Sequence, residues 1–265
     1  MLPYPEINPE IVKIGPIAIR WYGLMYFIGF LCSFLIVKRE INRRGLRVDK
    51  DFLENLYFYL ILGLLIGARL GYVLFYNFSY YMQNPLEIFA IWHGGMSFHG
   101  GLLGVIISAK IFTKFKKFDF FTLTDMLVLS APIGLGLGRI GNFINGELYG
   151  RVTDVPWAMI FPGGGNVPRH PSQLYEAVLE GVLLFFILWF LKDKFSRSGI
   201  ISSLFLILYG IFRFFVEFFR EPDPQIGYIL GIFTMGQILC SIMIVGGLCL
   251  FFYRSKSDNS NRKIY

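Results

Sequence analysis

Residues 53–76 read Leu53-Glu54-Asn55-Leu56-Tyr57-Phe58-Tyr59-Leu60-Ile61-Leu62-Gly63-Leu64-Leu65-Ile66-Gly67-Ala68-Arg69-Leu70-Gly71-Tyr72-Val73-Leu74-Phe75-Tyr76. Beyond Glu54 the run carries a single charge, Arg69. As a helix it is long enough to cross the hydrocarbon core of a bilayer, which takes about 20 apolar residues. Six further apolar stretches of comparable length follow the same pattern, at 20–37, 95–113, 120–142, 172–191, 199–219 and 233–253. The chain therefore reads as an all-α integral membrane protein of about seven transmembrane helices, one domain over 1–265, with a segment 143–171 outside the spans and a tail at 254–265. The Glu221-Pro222-Asp223-Pro224 break precedes the last span, since no helix continues through it.

Composition agrees. Of 265 residues, 55% are hydrophobic and 16% charged, with a mean hydropathy of +0.56. Soluble domains carry about a quarter charged residues. The net charge of +7 does not point to nucleic acid, because the basic residues sit in short clusters between apolar runs, as membrane loops do. Cys32, Cys240 and Cys249 all lie in apolar runs without a metal-ligand spacing and read as small apolar fillers. No metal and no cofactor is expected. Glu6 and Glu10 replace the basic n-region of a cleavable signal peptide.

Orientation follows from lysine and arginine. Lys38, Arg39, Arg43, Arg44, Arg47 and Lys50 follow the first span, Lys110, Lys114, Lys116 and Lys117 follow the third, Lys192, Lys194 and Arg197 follow the fifth, and Arg254, Lys256, Arg262 and Lys263 fill the tail. The other side holds only Lys13, Arg20, Arg151, Arg169 and Arg220. The positive-inside rule then places the amino terminus outside (periplasmic) and the carboxyl terminus in the cytoplasm.

Arg69, Arg139 and Arg213 fall inside spans, each in the outer half. An arginine at mid-bilayer costs about 2.5–3.5 kcal/mol on insertion scales, so something must compensate. Tyr22, His99, Asn142, Asn145, Glu147, Glu176 and Glu217 fall at the same depth. Two readings compete. In one, the arginines form structural ion pairs, Arg213 with Glu217 one turn on and Arg139 with a nearby carboxylate. In the other, Arg69, Arg139, Arg213 and Arg220 outnumber the buried acids and clamp an anionic lipid headgroup, for which the planar guanidinium fork is suited. Of three histidines, His93 lies at a span edge and His170 in a loop. His99 lies within an apolar segment, where it is the residue type suited to accept a proton near neutral pH. Gly136, Gly138 and Gly141 match a dinucleotide-binding spacing only by accident, with no strand before them. Gly63, Gly67 and Gly71, and Gly100 with Gly104, read as close helix-packing positions.

The block Gly138-Arg139-Ile140-Gly141-Asn142-Phe143-Ile144-Asn145-Gly146-Glu147-Leu148-Tyr149-Gly150-Arg151 closely resembles the signature of the bacterial prolipoprotein diacylglyceryl transferases. Further blocks resemble the same family: Arg20 to Tyr26, His93 to Gly101, Arg169 to Glu176, Tyr209 to Asp223, and Met235-Gly236-Gln237. The resemblance covers nearly the whole chain. It implies an enzyme that moves the diacylglyceryl group of phosphatidylglycerol onto the lipobox cysteine of prolipoprotein signal peptides, forming a thioether and releasing glycerol phosphate. It further implies residence in the bacterial inner membrane, with the site toward the outer leaflet. By motif position it assigns catalysis to His99, Arg139, Arg213 and Tyr22. It assigns phosphatidylglycerol binding to Arg139, Arg213, Asn142, Glu147 and Glu217. The rival from composition alone is a phospholipid or anion transporter or flippase, disfavoured because the chain shows no internal repeat and its polar cluster lies off the midplane.

Overall fold

A computed structural model describes residues 1–15, 17–90, 92, 94–221, 228–229 and 233–256. His93, the Pro222-Asp223-Pro224 break and the tail from 257 onward fall outside these residues. The elements are a hairpin of β1 (Glu10–Ile14) and β2 (Ile17–Arg20), then α1 (Trp21–Arg43), α2 (Phe52–Phe75), the short α3 (Phe78–Gln83), α4 (Phe98–Phe115) and α5 (Phe120–Ile144). They continue as α6 (Ser172–Leu191), α7 (Ile200–Val216), a two-residue ladder of β3 (Tyr228–Ile229) with β4 (Phe233–Thr234), and α8 (Met235–Lys256).

Six of these helices, α1, α2, α4, α5, α6 and α8, are long and apolar enough to cross a membrane, and α7 is a shorter apolar helix. Large apolar side chains such as Phe27, Leu65, Phe186 and Ile242 stand exposed on them. On a soluble protein such faces would be an aggregation surface, whereas in a bilayer they meet lipid. The chain is an all-α, multi-pass membrane protein.

The span limits shift where local chemistry intervenes. The third begins at Phe98 rather than residue 95, because Gly94 and Gly95 take φ of 81° and 74° and Ser97 caps α4, accepting from the Gly100 amide at 3.2 Å. The sixth ends at Val216 rather than 219, the last residues closing as turns. The fourth runs on to Ile144. The strands escaped the sequence reading because they are short and lack a long alternating run.

The chain divides into two compact units, Glu40–Leu123 and Met1–Arg39 with Thr124–Tyr265. In the smaller, α2 and α4 pack backbone to backbone. A Cβ on Gly104 would lie 2.0 Å from the Gly63 carbonyl oxygen, and one on Gly67 would lie 2.3 Å from that of Gly100. The glycines thus act as the packing positions their spacing predicted. Gly104→Val should therefore force α2 and α4 apart, seen as a lowered thermal midpoint and poor recovery of monodisperse protein in detergent.

In the larger unit Leu129, Leu184, Leu188 and Ile201 form a core with Ile36 packed against it. Asp125 of α5, almost fully buried, caps α7 from outside: its carboxylate accepts from the amides of Gly199 and Ser202, each at 2.7 Å. Two of α7's orphan N–H groups are satisfied this way. A π-helical turn at Ala177–Leu183 interrupts α6, a feature often found near functional sites. The segment 143–171 is stitched down by isolated bridges pairing Gly150 with Arg220, and both Val152 and Met159 with Arg169. Phe143, Met159 and Phe161 pack beneath it, and the half-buried Tyr4 hydroxyl donates to the Phe143 carbonyl at 2.6 Å.

Candidate functional site

Within the larger unit, the carboxyl ends of α5 and α7 and the amino end of α6 bring three guanidiniums to one carboxylate. Glu176, in the first turns of α6, is fully buried. It pairs with Arg139 Nε through Oε2, and through Oε1 with Arg213 at 3.4 Å and Arg220 at 3.2 Å. Arg213 also pairs with Glu217 at 2.8 Å, one helical turn away. Glu217 in turn accepts from the Thr234 hydroxyl at 3.0 Å. Glu180, one turn beyond Glu176 and also fully buried, makes neither a hydrogen bond nor an ion pair among the described residues.

The signature block builds the adjoining corner. Asn142 is buried and donates from Nδ2 to Glu147 Oε1 at 2.9 Å, while Asn145 donates to the same oxygen at 3.1 Å. The Glu147 side chain itself is exposed. Its loop is clamped from α6, where Gln173 Nε2 donates to the Glu147 carbonyl at 2.6 Å and the Ser172 hydroxyl to the Leu148 carbonyl at 3.1 Å. Leu148 is held at φ of 57°, in the left-handed region that costs a non-glycine residue about 1–2 kcal/mol. Such strain persists only where the surroundings over-determine it. Tyr22 of α1 packs over Gly141, where a Cβ would come within 2.7 Å of its ring. Its hydroxyl shares a hydrogen bond with Tyr26 at 3.1 Å, and it feels the charges of Glu147 and Arg139.

The expected residues thus gather as follows. Tyr22, Arg139, Asn142 and Glu147 belong to one corner, and Arg139, Arg213 and Glu217 are joined through Glu176. His99 belongs to the smaller unit. It stands exposed in the first turn of α4, edge-to-face with Phe98 at 5.7 Å, and makes no hydrogen bond among the described residues. His170 is half-buried against Tyr175 and Phe219, with Nδ1 3.1 Å from the Tyr175 hydroxyl, and burial pushes its pKa down. It packs as a structural residue.

Arg69 requires a correction. It is buried in the smaller unit, and its guanidinium donates to five backbone carbonyls, those of Glu87, Ile88, Ala90, Gly94 and Gly95. It ties down the segment between α3 and α4 and leaves the set of headgroup clamps. The expected excess of arginines over acids shrinks accordingly. The ion-paired groups are three guanidiniums, Arg139, Arg213 and Arg220, against two carboxylates, Glu176 and Glu217. The structural pairing foreseen for Arg213 with Glu217 is present, and with the buried Glu180 counted the three guanidiniums meet three buried carboxylates, so the expected surplus of arginines at this cluster is not found. Glu176 was expected at the depth of the arginines but given no role, and Glu180 did not stand out from the sequence as a site residue. The available signal was their cost: two carboxylates four apart in an apolar span are as expensive as the arginines.

Fold and site together define a polytopic membrane protein with a buried arginine–glutamate centre at one end of its helices and an asparagine–glutamate corner beside it. The chain belongs to the prolipoprotein diacylglyceryl transferase family, which matches residues 9–253. It is 55% identical over 257 residues to a phosphatidylglycerol–prolipoprotein diacylglyceryl transferase of Desulfotalea psychrophila, covering 94% of each chain. A protein of the same name from Geobacter sulfurreducens is 55% identical over 247 residues, 93% of this chain and 95% of its own. One from Vibrio vulnificus is 52% identical over 264 residues, 99% of this chain and 97% of its own.

Proposed function

We infer that this protein is a transferase of lipoprotein maturation, carrying the diacylglyceryl group of phosphatidylglycerol to the lipobox cysteine of a prolipoprotein. The observation that carries the reading is the match, over nearly the full length of both chains, to transferases of that name. A phospholipid transporter would not account for that match. We place the site toward the outer leaflet of the bacterial inner membrane, with the amino terminus outside. The basic ends of α1, α4 and α8, at Arg43, Lys114, Arg254 and Lys256, support that orientation. The whole chain is taken as one catalytic domain.

The reaction makes two demands. The thiol, with a free pKa of about 8.5, must lose its proton, which at pH 7 costs only about 2 kcal/mol. Its sulfur then bonds to the glyceryl carbon as that carbon's bond to the phosphate oxygen breaks, and glycerol phosphate leaves with added negative charge. In a low-dielectric site that charge needs cations already in place, which is the larger demand. Arg139 and Arg213 meet it by gripping the phosphate. Asn142, Glu147 and Glu217 hold the headgroup and the arginines, and Tyr22 borders the corner. His99, exposed and without a hydrogen-bond partner among the described residues, accepts the thiol proton.

The direct test incubates purified protein with phosphatidylglycerol and a lipobox peptide and weighs the peptide by mass spectrometry. A gain of one diacylglyceryl mass supports the transferase, and lipid redistribution without that gain supports transport. His99→Gln should slow the transfer about 10²-fold or more at neutral pH, the range of general-base catalysis. An unchanged rate would remove His99 from the base role.

A further inference from the structure

Glu217 is more than the counter-charge of Arg213. Its carboxylate is held on three sides. One oxygen, Oε2, faces Arg213 Nη2 at 2.8 Å, and the other, Oε1, accepts from the Thr234 hydroxyl at 3.0 Å. The third side is the backbone of α8, where a Cβ built on Gly236 would fall 2.7 Å from both the Glu217 carboxyl carbon and Oε1. Glu217, Thr234 and Gln237 are each at most 5% exposed, so no water replaces these contacts cheaply.

Thr234 and Gln237 form a reciprocal capping box at the start of α8. The Thr234 amide donates to Gln237 Oε1 at 3.1 Å, and the Gln237 amide donates to Thr234 Oγ1 at 3.2 Å. The cap sets the rotamer of Thr234. Because Oγ1 already accepts from Gln237, its own proton is free to be donated, and the acceptor placed for it is Glu217. The helix start therefore does two jobs. It satisfies orphan amides, as any cap does, and it aims one hydroxyl at the acid that orients Arg213. A glycine at 236 is not needed for backbone conformation, since its φ is not positive. What requires it is the carboxylate lying against it.

We propose that Thr234 and Gly236, at the start of α8, are positioning residues for the phosphate-binding arginine: they fix the Glu217 carboxylate, and through it the direction of the Arg213 guanidinium. The proposal rests on the transferase reading above. With Glu217 free to rotate, Arg213 loses one of its two carboxylate anchors, and only the 3.4 Å contact to Glu176 remains. A guanidinium fork misplaced by an ångström no longer matches a phosphate.

The experiment measures kcat/KM for phosphatidylglycerol with a lipobox peptide, alongside the thermal midpoint in detergent. Gly236→Ala adds a methyl where the carboxylate now lies, while raising the helix propensity of α8. The expected result is a fall in kcat/KM of about tenfold or more, the scale of one hydrogen bond to a charged group, in protein that is folded and monodisperse. Thr234→Val is measured in two backgrounds. It should cost about tenfold in the native chain and less than about twofold beside Glu217→Gln, because coupled residues are not additive. A residue serving only as a cap would cost the same factor in both. Wild-type kcat/KM for folded Gly236→Ala, or equal losses for Thr234→Val in both backgrounds, overturns the proposal. Should Gly236→Ala fail to fold, the Thr234→Val comparison decides alone. Failure of the native protein to transfer lipid at all would instead overturn the transferase reading.

Discussion

Arg139→Ala, purified in folded form, is expected to transfer diacylglyceryl groups at least about 10²-fold more slowly than the native protein, by analogy with removal of a preplaced donor from an oxyanion site. The loss should appear mainly in kcat, because the charge that Arg139 meets is greatest as the phosphate leaves. Arg139 engages Glu176 through Nε, and its side chain is 20% exposed, so the pairing does not enclose the whole guanidinium. Arg139→Lys tests the geometry separately. A lysine keeps the charge but cannot pair with Glu176 and a phosphate through one planar fork, so most of the loss should remain. Near-native turnover by folded Arg139→Ala would remove this residue from the reaction.

Glu176→Gln is expected to produce the largest loss of stability of any single change at the site. The side chain keeps its volume, but three guanidiniums lose the acid they share. Breaking a buried pair by removing one partner costs about 3–5 kcal/mol, since it leaves an uncompensated buried charge. The thermal midpoint in detergent should fall sharply, and transfer should fall with it as Arg139 and Arg213 lose a common anchor. Glu180→Gln supplies the internal comparison. Glu180 lies one turn away, equally buried, and gives up neither a hydrogen bond nor an ion pair among the described residues. Its replacement should leave the midpoint close to native. Equal losses at 176 and 180 would show that burial of an acid, rather than the three-arginine contact, governs the effect.

Much of this architecture is legible along the chain because the bilayer's demand is additive residue by residue. A run such as 53–76 declares itself a span by hydropathy alone, whatever packs against it, and glycines four apart declare a close helix contact. Gly63, Gly67, Gly100 and Gly104 behave accordingly. Likewise, Arg213 and Glu217 are one turn apart on a helix, and they pair. The block from Gly138 to Arg151 was specific enough to indicate the family before any coordinate.

Contacts across the fold were legible only in three dimensions. Arg69 and Arg139 look alike in sequence, each a lone arginine toward the carboxyl end of a span. One donates to five carbonyls of a nearby loop and the other pairs with Glu176. Backbone carbonyls belong to every residue and leave no mark in composition, so the fate of Arg69 could not be read from its neighbours. Glu176 and Glu180 also sit one turn apart in the same apolar run. Three arginines meet the first and none pairs with the second, and that difference depends on how α5, α6 and α7 are rotated about their axes. By itself the sequence determined a multi-span membrane protein, its charged residues and its family. The tertiary structure decided which acid meets which arginine, because helix rotation is set by packing and caps such as Asp125 and Thr234 and not by the hydropathy that makes the helices span.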